Sequence, residues 1–250
     1  MNIFITGISS GIGKELAALL VGKGYTVWGV ARNLQKLKKL RGDLNTDDLH
    51  ISLCDVSKEE DMQKVMEDMK LKNFIPDVVV LNAATLHMEK RGAFDVDLYR
   101  ESFDTNLFGS IFWVNEFLDT FVKRNHGHFI AISSVSSFRR GPGSASYAAS
   151  KAALSLTFRR LRTHFLKTNI KFSVIYFGPV NTDFWQAWKA YKVPYIVPSA
   201  ARAAKFVLKI FDKKGGEYSF PFFIVVLVRL LIFVPERVLN TIDSTFSSKS

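Results

Sequence analysis

One cysteine, Cys54, in 250 residues rules out an intrachain disulfide and any thiolate cluster around a metal. That scarcity predicts a reducing compartment and no metal site. Acidic side chains are also in the minority: 23 Asp+Glu against 34 Lys+Arg leave a formal charge of +11. Such an excess suits an anionic partner, whether a phosphorylated cofactor, an acyl carrier, a lipid surface or nucleic acid. The cations are scattered, as in Lys36, Lys38, Lys39, Arg41, Arg139, Arg140, Arg159, Arg160 and Arg162, without the aromatic spacing of an RNA-binding sheet. No nucleic-acid partner is expected. Internal repeats, low-complexity linkers and composition breaks are missing as well, so a single domain over residues 1–250 is predicted. The opening Met1-Asn2-Ile3-Phe4-Ile5-Thr6 lacks a basic and then apolar leader and reads as a strand, which predicts a cytoplasmic location.

What is present is an alternation. Short apolar runs bounded by Gly, Asp or Asn fall at Ile3 to Thr6, Thr26 to Ala31, Leu49 to Leu53, Val78 to Asn82, Gly127 to Ser133 and Lys171 to Phe177, with a seventh near Tyr218. Between them the segments 12–23, 58–70, 97–123 and 146–167 carry apolar residues at three- and four-residue spacing. This is the pattern of repeated βαβ units, an α/β chain with a doubly wound parallel sheet covered by helices on both faces. Ser57-Lys58-Glu59-Glu60 has capping-box spacing, with Ser57 as acceptor at the start of the third helix and Glu60 reaching back. An aromatic stretch at about 181–200, with Trp185, Trp188, Tyr191 and Tyr195, reads as an inserted lid over an apolar substrate.

Three glycines in Thr6-Gly7-Ile8-Ser9-Ser10-Gly11-Ile12-Gly13 follow the first strand and open the first helix. There the backbone can approach a ligand closely, and the helix N-terminal amides can hold a pyrophosphate. A glycine-rich turn alone is weak evidence; its place after the first strand is what strengthens it. After the second strand, where an acid would hold the ribose hydroxyls of NAD, the chain has Arg32, a cation suited to a 2′-phosphate, so NADP(H) is preferred over NAD(H). Tyr147 and Lys151 stand four residues apart on one helical face, and the ammonium is expected to lower the pKa of the phenol so that it serves as general acid or base. Ser134, at the end of the fifth strand, can donate a hydrogen bond to a substrate oxygen. Asn106 is a poor mid-helix former whose amide suits a buried polar network.

Taken together these motifs resemble the short-chain dehydrogenase/reductase superfamily, over Ile3 to about Thr182. The resemblance implies a single-domain Rossmann-like fold and a homo-oligomer, dimer or tetramer. It also implies hydride transfer between a nicotinamide and a small, apolar carbonyl or alcohol. Catalytic roles then fall to Asn106, Ser134, Tyr147 and Lys151, with Lys151 on the nicotinamide ribose and Asn106 in a proton relay through water. Gly7, Ser9, Ser10, Gly11, Ile12 and Gly13 would take the pyrophosphate, Arg32 the 2′-phosphate, and Asp55 and Val56 the adenine. Asn82, Ala83 and Ala84 would wall the adenosine ribose, and Gly178, Val180 and Thr182 would meet the nicotinamide end. Two departures from the family pattern stand out. Ala84 replaces a usual glycine beside the cofactor, and Phe177 replaces a usual proline before Gly178, which is expected to narrow the nicotinamide pocket. A protein that keeps the fold as a dinucleotide sensor or scaffold is the alternative, opposed by the intact Asn106, Ser134, Tyr147 and Lys151.

The apolar stretch Phe222 to Val234 would span roughly 20 Å as a helix, short of a hydrocarbon core of roughly 30 Å. It reads as a core or dimer-interface helix, as a wall of the substrate pocket, or as a membrane-surface anchor flanked by Arg202, Lys205, Lys209, Lys213, Lys214 and Arg237.

Overall fold

Alternate residues of each apolar strand face opposite helical layers, and this sorts the core into two halves. The computed structural model describes residues 1–89, 94–138, 143–186, 197–230 and 233–234. Strands β1 (Asn2–Thr6), β2 (Thr26–Ala31), β3 (Leu49–Leu53), β4 (Val78–Leu81), β5 (Gly127–Ser134), β6 (Ile170–Phe177) and β7 (Glu217–Phe220) form one sheet, paired in parallel in the order β3-β2-β1-β4-β5-β6-β7. Ile3 and Ile5 of β1 point to one face, where they join Leu16, Leu20, Leu37, Val207 and Ile210. Phe4, between them, points to the other face and meets Trp113 and Phe117. Helices α1 (Gly11–Val21), α2 (Leu34–Leu44) and α8 (Ala200–Ile210) cover the first face. Helices α3 (Glu59–Leu71), α5 (Gly109–Arg124) and α6 (Ala145–His164) cover the second. The predicted doubly wound α/β architecture is therefore the observed one.

Several local expectations change. The capping box does not form: Ser57 donates through both its amide and its hydroxyl to Asp55 Oδ1, at 3.1 and 2.8 Å, and α3 starts beyond Lys58 with no side-chain cap. The Asx turn has captured the would-be cap, leaving Glu59, Glu60 and Asp61 to complement the helix dipole. The segment 97–123 is α4 (Val96–Phe103) and α5 joined by a π-helical turn, Asp104–Phe108, with Asn106 fully buried inside it. Helices α2 and α8, absent from the periodicity reading, occupy the β2–β3 and β6–β7 crossovers. Of the lid, a short helix α7 (Asp183–Gln186) is seen, and residues 187–196 lie outside the described residues. The apolar C-terminal helix, α9, runs from Phe222 to Leu230, and Pro235 lies outside the described residues.

Candidate active site

The strand order changes direction between β1 and β4, and in open parallel sheets that point opens a crevice at the carboxyl ends of the strands. The glycine turn leaves β1 there, and Asn82 leaves β4. Thr6 Oγ1 accepts from the amides of Asn82 and Ala83 at 3.0 and 2.9 Å, while Asn82 Nδ2 donates to the carbonyls of Thr6 and Gly7 at 3.0 and 3.1 Å. Asn82 thus braces the turn from the neighbouring strand, a structural task that the motif alone did not reveal. Gly13 is obligatory in this packing: a Cβ there would overlap Gly7 O and come within 2.6 Å of Asn82 Nδ2. Ser10 precedes α1 without capping it through its side chain, and the amides of a first helical turn are groups that can hold a phosphate. A Cβ on Gly11 would lie 3.2 Å from Thr182 Cγ2, which sets the loop after β6 beside the phosphate turn.

Arg32 follows β2 directly and is largely exposed, its guanidinium 3.8 Å from Asp55. An exposed pair at this distance is worth well under about 1 kcal/mol, so the cation is free to re-pair with a phosphate. Val56 is buried in the core and Val180 in the opposite half, so any ligand contact they make runs through backbone or the rim of the side chain. Phe177 packs against Phe206 and Phe220 in the core, with ring centroids 6.4 and 5.8 Å away, so its ring is committed to α8 and does not narrow the crevice.

Tyr147 and Lys151 lie in the first two turns of α6 and are both buried. Burial pushes the Tyr147 hydroxyl up to about 12, a shift that a hydrogen bond with Ser134 opposes. Burial likewise pushes Lys151 down to about 7. The expected lowering of the phenol by the ammonium is therefore reversed. Lys151 Nζ sits 6.0 Å from the Tyr147 ring centroid and donates to Ile132 O at 2.8 Å, so desolvation outweighs the attraction and favours both neutral forms. Ser134 lies at the end of β5, its hydroxyl accepting from the Ser136 amide at 3.1 Å. Asn106 fastens two further pieces: its Oδ1 accepts from Thr85 N at 2.8 Å, and its Nδ2 donates to Thr85 O at 3.1 Å and Ser150 Oγ at 2.9 Å. Phe184, in α7, sets its ring 5.7 Å from that of Tyr147.

Glu89 carries no motif, yet it holds the start of the helix that bears Tyr147. Its carboxylate accepts from the amides of Ala145 and Ser146 at 2.8 and 2.9 Å and from Ser144 Oγ at 3.3 Å, while Ser144 Oγ accepts from Tyr147 N at 3.2 Å. Burial raises the carboxyl of Glu89, but hydrogen bonds from Ser146 and Ala145 together outweigh it and hold the group below the usual carboxylate range. Glu89→Ala should cost about 1–2 kcal/mol, the upper range for loss of an N-terminal cap. Thermal unfolding should then shift down by about 2–8 °C, with a smaller shift for Glu89→Gln. An unchanged melting temperature would dismiss the cap.

The family model described as short chain dehydrogenase matches residues 1–192. The chain belongs to the short-chain dehydrogenase family. Among curated relatives of this short-chain dehydrogenase, an uncharacterised oxidoreductase of Listeria monocytogenes is 34% identical over 185 residues, covering 72% of this chain and 75% of the relative. One from Staphylococcus aureus is 29% identical over 184 residues, covering 74% and 80%. In fold it is similar to a serine dehydrogenase in complex with NADP+ (TM-score 0.79, 24% identity, 88% and 94% of the two chains). A 4-hydroxyisoleucine dehydrogenase in complex with NADH and succinate is also similar (TM-score 0.77, 21% identity, 87% and 96%). The short-chain dehydrogenase is thus an oxidoreductase of the Rossmann-like α/β fold.

Proposed function

We propose that this chain is an NADP(H)-dependent carbonyl reductase, running in reverse as an alcohol dehydrogenase, with Tyr147 as general acid and base. The observation that carries the proposal is the buried Tyr147, on one helix with the buried Lys151, its ring beside that of Phe184, with the loop after β6 set against the glycine turn. A nicotinamide dinucleotide, when bound, supplies or accepts a hydride. The protein's part is to place and discharge a proton. With its pKa raised to about 12, Tyr147 keeps its proton at neutral pH and can deliver it to the substrate oxygen as negative charge develops there. Ser134 offers that oxygen a hydrogen bond, which is worth most where charge appears only on the way to the transition state. Lys151 would hold the ribose of the nicotinamide, and a proton relay through water past Asn106 belongs to the same proposal.

The amides of Ser9, Ser10, Gly11 and Ile12 would receive the pyrophosphate, Asp55 and Val56 the adenine, Asn82, Ala83 and Ala84 the adenosine ribose, and Gly178, Val180 and Thr182 the nicotinamide end. Arg32 in place of an acid after β2 supports NADP(H) over NAD(H). The aromatic ring of Phe184 beside that of Tyr147 supports an apolar substrate. We take residues 1–250 as one catalytic unit that assembles as a homo-oligomer in the cytoplasm. The buried Cys54, whose thiol burial pushes up to about 12, is chemically quiet there. Assay of a panel of apolar ketones and aldehydes should give oxidation of NADPH at 340 nm well above that of NADH. Tight NADPH binding with no turnover across the panel would turn the reading toward a dinucleotide sensor.

A further inference from the structure

The turns that follow β5 and β6 share one neighbour, helix α9. After β6, Gly178 N donates to Phe220 O at 2.9 Å, and a Cβ on Gly178 would lie 3.4 Å from Pro221 and from Ile224 of α9. After β5, the chain makes one tight helical turn, Val135–Ser137, with Ser134 as its N-cap. Ser134 Oγ accepts from Ser136 N at 3.1 Å, Ser137 Oγ donates to Ser134 O at 2.7 Å, and Phe138 N donates to Val135 O at 3.1 Å. These bonds are internal to the turn. Phe138, which ends it, instead sends its ring to Tyr176 of β6, with centroids 4.5 Å apart.

The cation of α9 rests on that ring. The Arg229 guanidinium lies 4.4 Å from the Phe138 centroid and 4.8 Å from that of Tyr176, a range in which a ring face attracts a cation, the more so where water is shut out. Arg229 is itself held in place: its Nη2 donates to Glu217 Oε2 at 2.8 Å. Glu217, in β7, also accepts from Nε and Nη2 of Arg159 at 2.6 and 3.2 Å, and Arg159 belongs to α6, the helix that carries Tyr147 and Lys151. Charge balance does not call for Arg229. Arg159 already pairs with Glu217, and Arg162 stands 3.6 Å from it, so a third guanidinium brings repulsion along with its attraction. What Arg229 adds is the close contact with Phe138, since Arg159 stands 5.9 Å from the same ring.

We propose that Arg229 is a positioning residue for Ser134, fixing the Ser134–Phe138 turn through the Phe138 ring; the inference rests on the part given to Ser134 in the reaction above. Three variants of the full chain test it: Arg229→Met keeps the stem without the charge, Arg229→Lys keeps a cation, and Phe138→Leu removes the ring. Hydrogen exchange at the amides of Ser136 and Phe138 reads the turn without any turnover. In Arg229→Met it should quicken there at least about tenfold. At Gly7 and Ile8, whose amides donate to Val30 O, it should stay as in the parent. The kcat for carbonyl reduction should fall about tenfold, less than the roughly hundredfold that a misplacement of about 1 Å costs, with KM for NADPH unchanged. Arg229→Lys should recover most of the lost rate. In a Phe138→Leu background Arg229→Met should add less than about twofold, because the two residues act through one contact. Unchanged exchange at Ser136 and Phe138, equal acceleration at Gly7 and Ile8, or losses that simply multiply in the double variant would each overturn the proposal and leave Arg229 a tie for α9 alone. If Arg229→Met fails to fold, Phe138→Leu should show the same exchange pattern, and its absence is equally decisive. A parent chain inactive on every carbonyl would overturn the reaction itself, and exchange alone would then decide whether Arg229 holds the turn.

Discussion

Tyr147→Phe is expected to lower the rate of carbonyl reduction by about 10²–10⁴-fold, the range for loss of a positioned general acid. The substitution removes one oxygen and little volume, so the α6 packing around Lys151 and Phe184 should survive. What disappears is the phenolic proton, which burial holds in place. Binding of NADPH, followed by fluorescence titration, should be retained, because the glycine turn and its Asn82 brace are untouched. Single-turnover kinetics with NADPH would measure the chemical step directly. A rate within a few-fold of the parent would remove Tyr147 from the reaction.

The second large effect is on cofactor choice. Arg32→Asp exchanges a guanidinium for a carboxylate at the end of β2, where it would face Asp55 as well as the 2′-phosphate. A hydrogen bond between charged groups is worth about 1.5–3 kcal/mol, and repulsion adds to its loss. The ratio of kcat/KM for NADPH over NADH should therefore fall by about a hundredfold, since every 1.4 kcal/mol is about tenfold. The measurement is the pair of kcat/KM values with one carbonyl substrate. If the ratio holds steady, the 2′-phosphate sits elsewhere and the preference assigned to Arg32 is wrong.

Much of this architecture is legible in the sequence because strand periodicity and loop glycines are local signals. The six strand runs and Tyr218 of β7 could be read from apolar runs alone, and the Thr6–Gly13 turn from its position after β1. Harder to read were features in which distant residues meet. Glu89 reaches Ala145 across 56 positions, and no local pattern announces that pairing. The capping box at Ser57 had the right spacing but lost to Asp55, a competitor two residues upstream. The direction of the Tyr147 shift was misjudged because helical spacing gives the neighbour of a group and says nothing of its solvation. Lys151 is near, but both groups lie away from water, and desolvation decides the outcome. Asn106 is a poor helix former, and the π turn around it is the structural counterpart of that weakness.

The sheet order bears on how the chain can be assembled during synthesis. After β1, strands β2 and β3 add outward on one side, and β4 through β7 then add in succession on the other. Each new strand meets an edge already in place, so no segment has to be threaded between partners that have paired. The nascent chain can therefore build its half-sheet β3-β2-β1 before residue 78 is made, and extend it residue by residue as the remainder emerges. Among the described residues β3 and β7 each keep one edge without a neighbour, and because β7 is the last strand to arrive, its addition settles how the molecule presents the second of these open flanks.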